Sequence, residues 1–279
     1  MTPRLARRLS ELVSYRELLE NLVLRDLKLR YKSSVLGFLW SLLNPLLLML
    51  VFTVVFNVIL PNVHVPAFPI FVLCALLPWN FFQTSLVGAI QSISGNGHLV
   101  KRVYFPWEIL TISSVLANFC NFALALLVLL GVIFVFGWPI TSALLYLPLV
   151  MAVHVLFTLG VSLLLATVNV FYRDTGVIME VVLQAWFFMT PVFYPIELLP
   201  QWVTVWGLDL PAQRLIYILN PMASIIATYR SVLYGSIDGG PPGAPGFDFF
   251  SRTLLTALAC FVVGYALFIR YSARFPEEI

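Results

Sequence analysis

Polar side chains recur at helical spacing within apolar segments of this sequence. Five such stripes occur: Ser34, Gly37, Ser41 and Asn44; Asn80, Thr84, Gly88 and Gln91; Ser114, Asn118 and Asn121; His154, Thr158, Ser162 and Asn169; and Glu180 and Gln184. Because lipid offers no hydrogen-bond partner, such side chains face protein or water in a membrane. The stripes therefore predict a helical bundle with an interior. They are typical either of a translocation path or of polar contacts between helices.

Residues that could catalyse a reaction are not grouped in the sequence. His64, His98 and His154 lie on a turn, on a loop and within an apolar segment, without acidic neighbours at metal-ligand or triad spacing. The phosphate-binding pattern G-x-x-x-x-G-K-[ST] is also missing. We therefore expect a chain that is not an enzyme and holds no metal or cofactor. Energy for uphill transport would have to come from another chain.

The composition is typical of a membrane protein. Hydrophobic residues make up 61% of the sequence, charged residues only 10%, and the mean hydropathy is +0.95. A soluble domain carries about 25% charged residues. The net charge of +3 is too small to indicate nucleic-acid binding. The cysteines, Cys74, Cys120 and Cys260, lie in apolar segments and favour neither a disulfide framework nor a zinc site.

The apolar runs predict six membrane spans, which we place at residues 35–60, 67–93, 109–136, 143–170, 177–196 and 253–269. A polar loop follows the second span at residues 94–108. The predicted fold class is an all-α membrane protein with a single transmembrane domain over residues 1–279. No cleavable signal is expected, because the N-terminal region is charged and amphipathic beyond signal-peptide length.

An amphipathic helix is predicted at residues 11–32, directly before the first span. Its apolar face comprises Leu12, Tyr15, Leu18, Leu19, Leu22, Val23 and Leu29. Its polar face comprises Glu17, Asn21, Arg25, Lys28 and Lys32. Such a helix lies in the membrane interface, although an ordinary solvated helix is the alternative. Asp26 and Arg30 lie four residues apart on the apolar side, so we expect them to bond each other or another part of the protein.

The distribution of basic residues predicts the orientation in the membrane. With six spans, most of them share one side: those before span one, Lys101 and Arg102, Arg173, and Arg270 with Arg274. The positive-inside rule places that side, with both termini, in the cytoplasm. The long outer connection at residues 197–251 contains two apolar pieces too short to cross a bilayer. They are typical of a re-entrant hairpin or of an outer cap.

Glu180 is the carboxylate within a predicted span, and Gln184 follows one turn later on the same face. This pair could line a cytoplasmic vestibule, or Glu180 could reach the interface by extending its side chain. The outer half of the span, AWFFMTPVFYP, is rich in aromatic rings. Such rings stack on the C–H faces of sugars, but they also form the usual aromatic belt at a membrane boundary.

Four stretches, in this order and spacing, resemble the membrane subunit of type-2 ATP-binding-cassette exporters. They are YRELLENLVLRDLKLRYKSSVLGFLWSLLNPLL, NGHLVKRVYFPWEIL, VNVFYRDTGVIMEVVLQAWFFMTPVFYPIELLP and LNPMASIIATYRSVLYG. The likeness covers nearly the whole chain. The pair RDLKLRYKSSVLGFLW and KRVYFPWEIL is similar to the branch that exports O-antigen, capsule or teichoic-acid polysaccharides on a lipid carrier.

The resemblance implies a homodimer in a bacterial inner (plasma) membrane. Each subunit would bind a cytoplasmic ATPase subunit, which holds ATP and Mg, and an undecaprenyl-linked polymer would pass between the protomers. The loop after span five would form the outer gate. The ATPase-coupling residues would be Gly97, His98, Leu99, Lys101, Arg102, Phe105, Pro106 and Glu108. The interface-helix residues that contact the ATPase or the carrier diphosphate would be Arg25, Asp26, Lys28, Arg30, Tyr31 and Lys32.

Aromatic rings along such a path would let a sugar chain slide without fixed hydrogen bonds. Candidates by position are Trp40, Asn44, Glu180, Gln184, Trp186, Phe187, Phe188 and Tyr194. The basic residues of the interface helix have a second interpretation, since they could serve only to set the topology. Other readings of the chain are a type-2 exporter of a small amphipathic molecule or lipid, a membrane-embedded transferase acting on lipid-linked sugars, and a regulatory or scaffolding membrane protein.

Overall fold

The computed structural model describes residues 14–31, 39–55, 65–97, 105–205 and 208–278, and helices dominate these ranges. In chain order the helices are α1 (Arg16–Tyr31), α2 (Leu39–Val54), α3 (Phe68–Ser94), α4 (Glu108–Val135), α5 (Leu147–Phe171), α6 (Thr175–Met189), α7 (Ala212–Leu219), α8 (Pro221–Leu233), α9 (Phe247–Ser272) and α10 (Phe275–Glu278). Two 3-10 helices lie at Ser142–Tyr146 and Ile196–Leu198.

Four helices are long and apolar enough to cross a membrane: α3, α4, α5 with the 3-10 turn before it, and α9. The predicted spans at 35–60 and 177–196 coincide with α2 and α6, which have 16 and 15 residues. A membrane crossing needs about 20. The described residues thus establish a mostly helical protein with several apolar helices, and six crossings remain a prediction.

Proline and glycine set several of the helix boundaries. Pro69 lies in the first turn of α3 and Pro148 in that of α5, where a missing N–H costs nothing. α6 ends at Met189 because Pro191 follows and holds Thr190 in an extended conformation. Gly137 has a φ of 64°, which lets the chain turn sharply after α4.

Helix α3 occupies the centre of the fold. In its most apolar stretch 78% of the residues are buried, compared with 28% for α9. It packs against α2, α4, α5, α6 and α8. Aromatic rings fill its contacts: Phe82 stacks on Phe157 of α5 with ring centroids 5.4 Å apart, and Trp79 meets Trp186 of α6 at 6.3 Å.

Helices α5 and α9 make the most extensive contact in the fold, and two glycines allow it. A Cβ atom added at Gly160 would lie 2.5 Å from the backbone nitrogen of Phe261. One added at Gly264 would collide with the carbonyl oxygen of Gly160. Small residues at a crossing let helix backbones approach closely, which is the usual way for helices to gain contact in lipid.

The region between α6 and α9 contains features that the sequence did not predict. Strands β1 (Trp202–Val205) and β2 (Leu208–Pro211) form an antiparallel pair in which Trp202 faces Pro211 and Val205 faces Leu208. The two predicted apolar pieces form helices α7 and α8. Helix α9 begins at Phe247, before the predicted start of the span at residue 253. It therefore includes Arg252, whose guanidinium carbon lies 5.0 Å from the centre of the Phe249 ring.

Candidate functional site

The first turns of α4 and helix α1 meet in an apolar cluster. Leu22 of α1 is only 6% exposed and packs with Ile109, Leu110 and Phe275 among others. Tyr15, Leu18 and Leu19 are partly buried against the same cluster. Leu29, which the helical wheel assigned to the apolar face, is exposed, since α1 contacts α4 mainly through its earlier residues. The predicted interface helix therefore packs on protein along part of its length.

The predicted coupling loop is described only at its two ends. Gly97 and Pro106 are half-buried, while Phe105 and Glu108 are buried. Glu108 begins α4, where the helix dipole favours a negative charge. His98, Leu99, Lys101 and Arg102 lie outside the described residues. Phe105 and Glu108 are therefore enclosed by protein in this single chain.

Phe275 ties the C-terminal helix α10 to this end of the molecule. Its ring is fully buried and lies 5.3 Å from Phe268, 5.9 Å from Trp107 and 6.2 Å from Phe171, measured between ring centroids. These rings come from α9, from the loop before α4 and from the end of α5. We call this group the aromatic lock. Sequence analysis missed it, although a single Phe within a charged tail is a signal that could have been followed.

A polar cleft of about 270 Å³ lies between α1, the last turns of α3 and the first turns of α4. It is lined by Arg25, Asp26, Leu27, Leu29, Gly88, Gln91, Ser92, Asn96, Leu110, Ser114, Ala117, Asn118 and Asn121. Two of the predicted stripes, those of α3 and α4, meet here. A Cβ atom added at Gly88 would lie 2.5 Å from Ser114 Oγ, so the glycine permits the close approach of the two helices beside the cleft.

The charges at the cleft neutralise each other. Arg25 donates from Nε and Nη2 to Asp26 Oδ1, at 3.0 and 2.9 Å, and from Nη1 to Asn96 Oδ1 at 3.3 Å. Asp26 thus does bond another residue, but that residue is its neighbour Arg25. Lys28 is exposed to solvent. The side chains of Arg30 and Tyr31, and all of Lys32, lie outside the described part.

Amide side chains form much of the remaining wall. Asn96 Nδ2 donates to the Ser92 carbonyl at 2.8 Å, and Asn118 Nδ2 donates to the Ser114 carbonyl at 2.9 Å. Asn121 Nδ2 donates to the Ala117 carbonyl at 3.2 Å. Gln91 is exposed, and a Cβ atom at Gly176 would lie 3.7 Å from its Nε2, which places this amide near the start of α6.

At the other end of the bundle, Arg230 of α8 holds the segment after α6. Its Nη1 and Nη2 donate to the carbonyls of Pro191 and Val192, at 2.7 and 2.6 Å. The guanidinium carbon lies 3.6 Å from the centre of the Phe71 ring. A guanidinium is always charged, and here backbone carbonyls and a ring face stabilise it. We call this arrangement the arginine clamp.

Asn220, between α7 and α8, is a second connection at this end. Its Oδ1 accepts from Trp186 Nε1 at 2.8 Å and from the Ala223 backbone at 3.2 Å, while its Nδ2 donates to Thr190 Oγ1 at 2.9 Å. The α7–α8 pair is therefore bonded to the end of α6 by both Asn220 and Arg230.

The candidates for lining a path divide into two groups. Trp186 and Phe187 are partly buried against Trp79 of α3, at ring distances of 6.3 and 5.4 Å. Tyr194 is also partly buried, and its hydroxyl donates to the Phe188 carbonyl at 3.5 Å. The other candidates are exposed to solvent or lipid: Trp40 and Asn44 on α2, and Glu180, Gln184 and Phe188 on α6.

This arrangement of apolar helices defines a multi-pass helical membrane protein. Residues 17–234 match the family model described as ABC-2 type transporter, and the chain belongs to that family. A membrane subunit of this class requires an ATP-binding partner.

Curated relatives agree with the family. The chain is 40% identical over 225 residues to the O-antigen export system permease protein RfbA of Myxococcus xanthus, covering 80% of this chain and 83% of the relative. It is 29% identical over 257 residues to RfbA of Klebsiella pneumoniae, with 91% of each chain covered. It is 23% identical over 228 residues to the polysialic acid transport protein KpsM of Escherichia coli, covering 79% and 83%. The resemblance seen in the sequence is confirmed.

Proposed function

We propose that this chain is the transmembrane subunit of an exporter that moves a lipid-linked polysaccharide across the bacterial inner membrane. The observation that carries the proposal is the 40% identity, over 80% of the chain, to a permease named for O-antigen export. The absence of a phosphate-binding pattern from the sequence fits a division of labour in which a separate subunit hydrolyses ATP. The cargo would be a polymer on an undecaprenyl carrier.

The proposed topology has six crossings with both termini in the cytoplasm. Four crossings are α3, α4, α5 and α9. Helices α2 and α6 would supply the other two. The excess of Lys and Arg at one end supports this orientation. In this arrangement the aromatic lock and the polar cleft lie on the cytoplasmic side, and the arginine clamp lies on the outer side.

A second copy of the chain would cover the exposed faces of α2 and α6. On α6, Val177, Val181, Phe188 and Met189 are each at least 65% exposed, and Glu180 and Gln184 lie on the same side. Lipid is a poor environment for an ionised carboxylate. A path between two protomers would give Glu180 water, and would give the apolar side chains a protein partner.

The α7–α8 pair would form the outer gate. Both helices are shorter than a crossing, with 8 and 13 residues, and Arg230 and Asn220 hold them against the end of α6. A movement of α6 would thus be transmitted to the gate. On the cytoplasmic side, residues 98–104 and α1 would carry the contact with the ATPase subunit.

Depletion of this chain in its host tests the proposed function. The measurement is the distribution of lipid-linked polysaccharide between the two sides of the plasma membrane. We expect the polymer to accumulate inside and to disappear from the cell surface. An unchanged distribution would refute polysaccharide export and favour a small amphipathic cargo. Loss of polymer synthesis itself would favour a transferase.

A further inference from the structure

The polar cleft has a volume that suits a small ligand. It lies beside the last two turns of α3 and the first turns of α4, at the end of the bundle where the predicted coupling loop begins. Its volume of about 270 Å³ is just below the range of about 300–1,000 Å³ that is usual for pockets of drug-sized ligands. One sugar unit fits such a space, while a longer oligosaccharide would have to extend out of it.

The described lining of the cleft carries no net charge and therefore does not favour an anionic ligand. Among the lining residues that the structure describes, Arg25 and Asp26 are the ionisable ones, and they are paired at 2.9 Å. Arg25 also donates to Asn96, which directs three of its N–H groups to protein acceptors. Arginine usually binds phosphate through two parallel N–H groups, and here those groups already bind protein. The cleft therefore favours a neutral polar ligand.

The amides of the cleft match hydroxyl groups. An Asn or Gln side chain carries a donor and an acceptor next to each other, and a hydroxyl group needs both. Four amides from two helices line this one space: Gln91, Asn96, Asn118 and Asn121. Leu27, Leu29 and Leu110 supply apolar surface on the same walls. A sugar ring, with its hydroxyl rim and its C–H faces, has both kinds of surface.

Gln91 is the amide best placed to bind a ligand. Ser92 is engaged with Thr111 at 3.0 Å and Asn96 with both Ser92 and Arg25. Gln91 is exposed and lines the cleft on the side that borders the start of α6. The hydrogen bonds described between α3 and α4 do not use its side chain, so replacing it leaves them in place.

We propose that the polar cleft binds one sugar unit of the lipid-linked polymer before translocation, with Gln91 as its main hydrogen-bonding side chain. This proposal rests on the proposed function. It places the sugar, and not the carrier diphosphate, in the cleft between α1, α3 and α4. In this proposal the paired Arg25 and Asp26 form a part of the cleft lining that carries no net charge.

A photocrosslinking experiment locates the polymer. p-Benzoylphenylalanine replaces Leu29, which lines the cleft, or Leu24, which is exposed on the same helix but does not line it. In depleted cells that express either variant, we expect the lipid-linked polysaccharide to crosslink at position 29 and not at position 24. Equal crosslinking at both positions, or crosslinking at position 24 alone, would overturn the proposal.

A second experiment tests the chemistry, using the full complex with its ATPase subunit in lipid nanodiscs. The probes are lipid-linked polysaccharide extracted from depleted cells and undecaprenyl diphosphate without sugar. Gln91→Leu should raise the concentration of polymer that half-stimulates ATP hydrolysis by about fivefold, the effect of one hydrogen bond. Gln201→Leu is the matched control, because Gln201 is exposed at the other end of the molecule. It should behave as the wild type.

The sugar-free probe separates the two possible sources of recognition. If undecaprenyl diphosphate stimulates the wild type as well as the polymer does, the cleft recognises the diphosphate and the sugar proposal fails. If Gln91→Leu and Gln201→Leu do not differ, the cleft proposal fails while the proposed function stands. If depleted cells accumulate no lipid-linked polymer, the proposed function itself fails at the first step.

Discussion

At the residue scale, the Arg230 side chain connects α8 to the segment that follows α6. It is a cation enclosed by carbonyl dipoles and an aromatic face. A planar fork can bridge two carbonyl oxygens, whereas an ammonium group concentrates its charge at one point. The residue type is therefore as important as the charge.

Arg230→Lys should weaken the arginine clamp. It retains the charge but loses at least one hydrogen bond from a charged group, which costs about 1.5–3 kcal/mol. The expected results are a lower thermal midpoint of the detergent-solubilised protein and reduced export. Arg214→Lys, at an exposed position in α7, is the control and should change neither. A thermal midpoint unaffected by Arg230→Lys would contradict the role of the clamp.

Phe275→Ala should open the aromatic lock. Truncation of a fully buried Phe costs about 3–5 kcal/mol, because it removes ring contacts and leaves a cavity. We expect a lower thermal midpoint and easier proteolysis of the C-terminal segment. Glu278→Ala alters an exposed side chain of the same short helix and should leave both unchanged. If the two variants prove equally stable, α10 is not fixed by this ring.

At the element scale, the contact between α5 and α9 depends on the absence of side chains. Gly160→Ala would place a methyl group 2.5 Å from a backbone nitrogen of α9, so the helices would have to separate. Gly131→Ala in α4 meets nothing within 4 Å and should stabilise its helix by roughly 0.5–1 kcal/mol. Thermal midpoints that move in opposite directions would support this account. A neutral Gly160→Ala would refute it.

Sequence patterns predicted which residues share one face of a helix, but not what that face contacts. The stripe on α5 illustrates the difference. His154, Thr158 and Ser162 are all fully buried, and Nδ1 of His154 lies 3.4 Å from the Tyr229 hydroxyl. Helical spacing predicted that these residues share a side, and it left open whether that side borders a path or another helix. In the described chain it borders protein, and around His154 the rings of Phe81, Phe122 and Tyr229 come from α3, α4 and α8.

Features formed by residues distant in sequence were harder to predict. The polar cleft joins Arg25 to Asn96, and the aromatic lock joins Trp107 to Phe275. In both pairs the two residues are far apart in sequence and lie on different elements, so no helical repeat relates them. The strands β1 and β2, WVTV and LDLP, are only four residues each and lack a long alternating pattern. Both strands contact α7, so local preference alone could not identify them.

At the scale of the whole molecule, the exposed face of α6 makes the clearest prediction about assembly. A cysteine at Val181 should be crosslinked by a short bismaleimide to its counterpart in a second copy, since this side chain is 69% exposed on the proposed dimer face. A cysteine at Leu127 of α4 is comparably exposed, at 63%, and should face lipid. The measurement is dimer formation on a denaturing gel. Crosslinking at Leu127 alone would reverse the proposed arrangement.

The fluorescence of Trp79 can report how α6 moves relative to α3. Its indole is 1% exposed, and it lies between Phe82 of its own helix and the rings of Trp186 and Phe187 on α6. Indole emission depends on nearby rings and on water. A displacement of α6 from α3 would therefore change the intrinsic fluorescence of Trp79. The difference between the spectra of the wild type and Trp79→Phe would follow that displacement during ATP turnover without any attached dye.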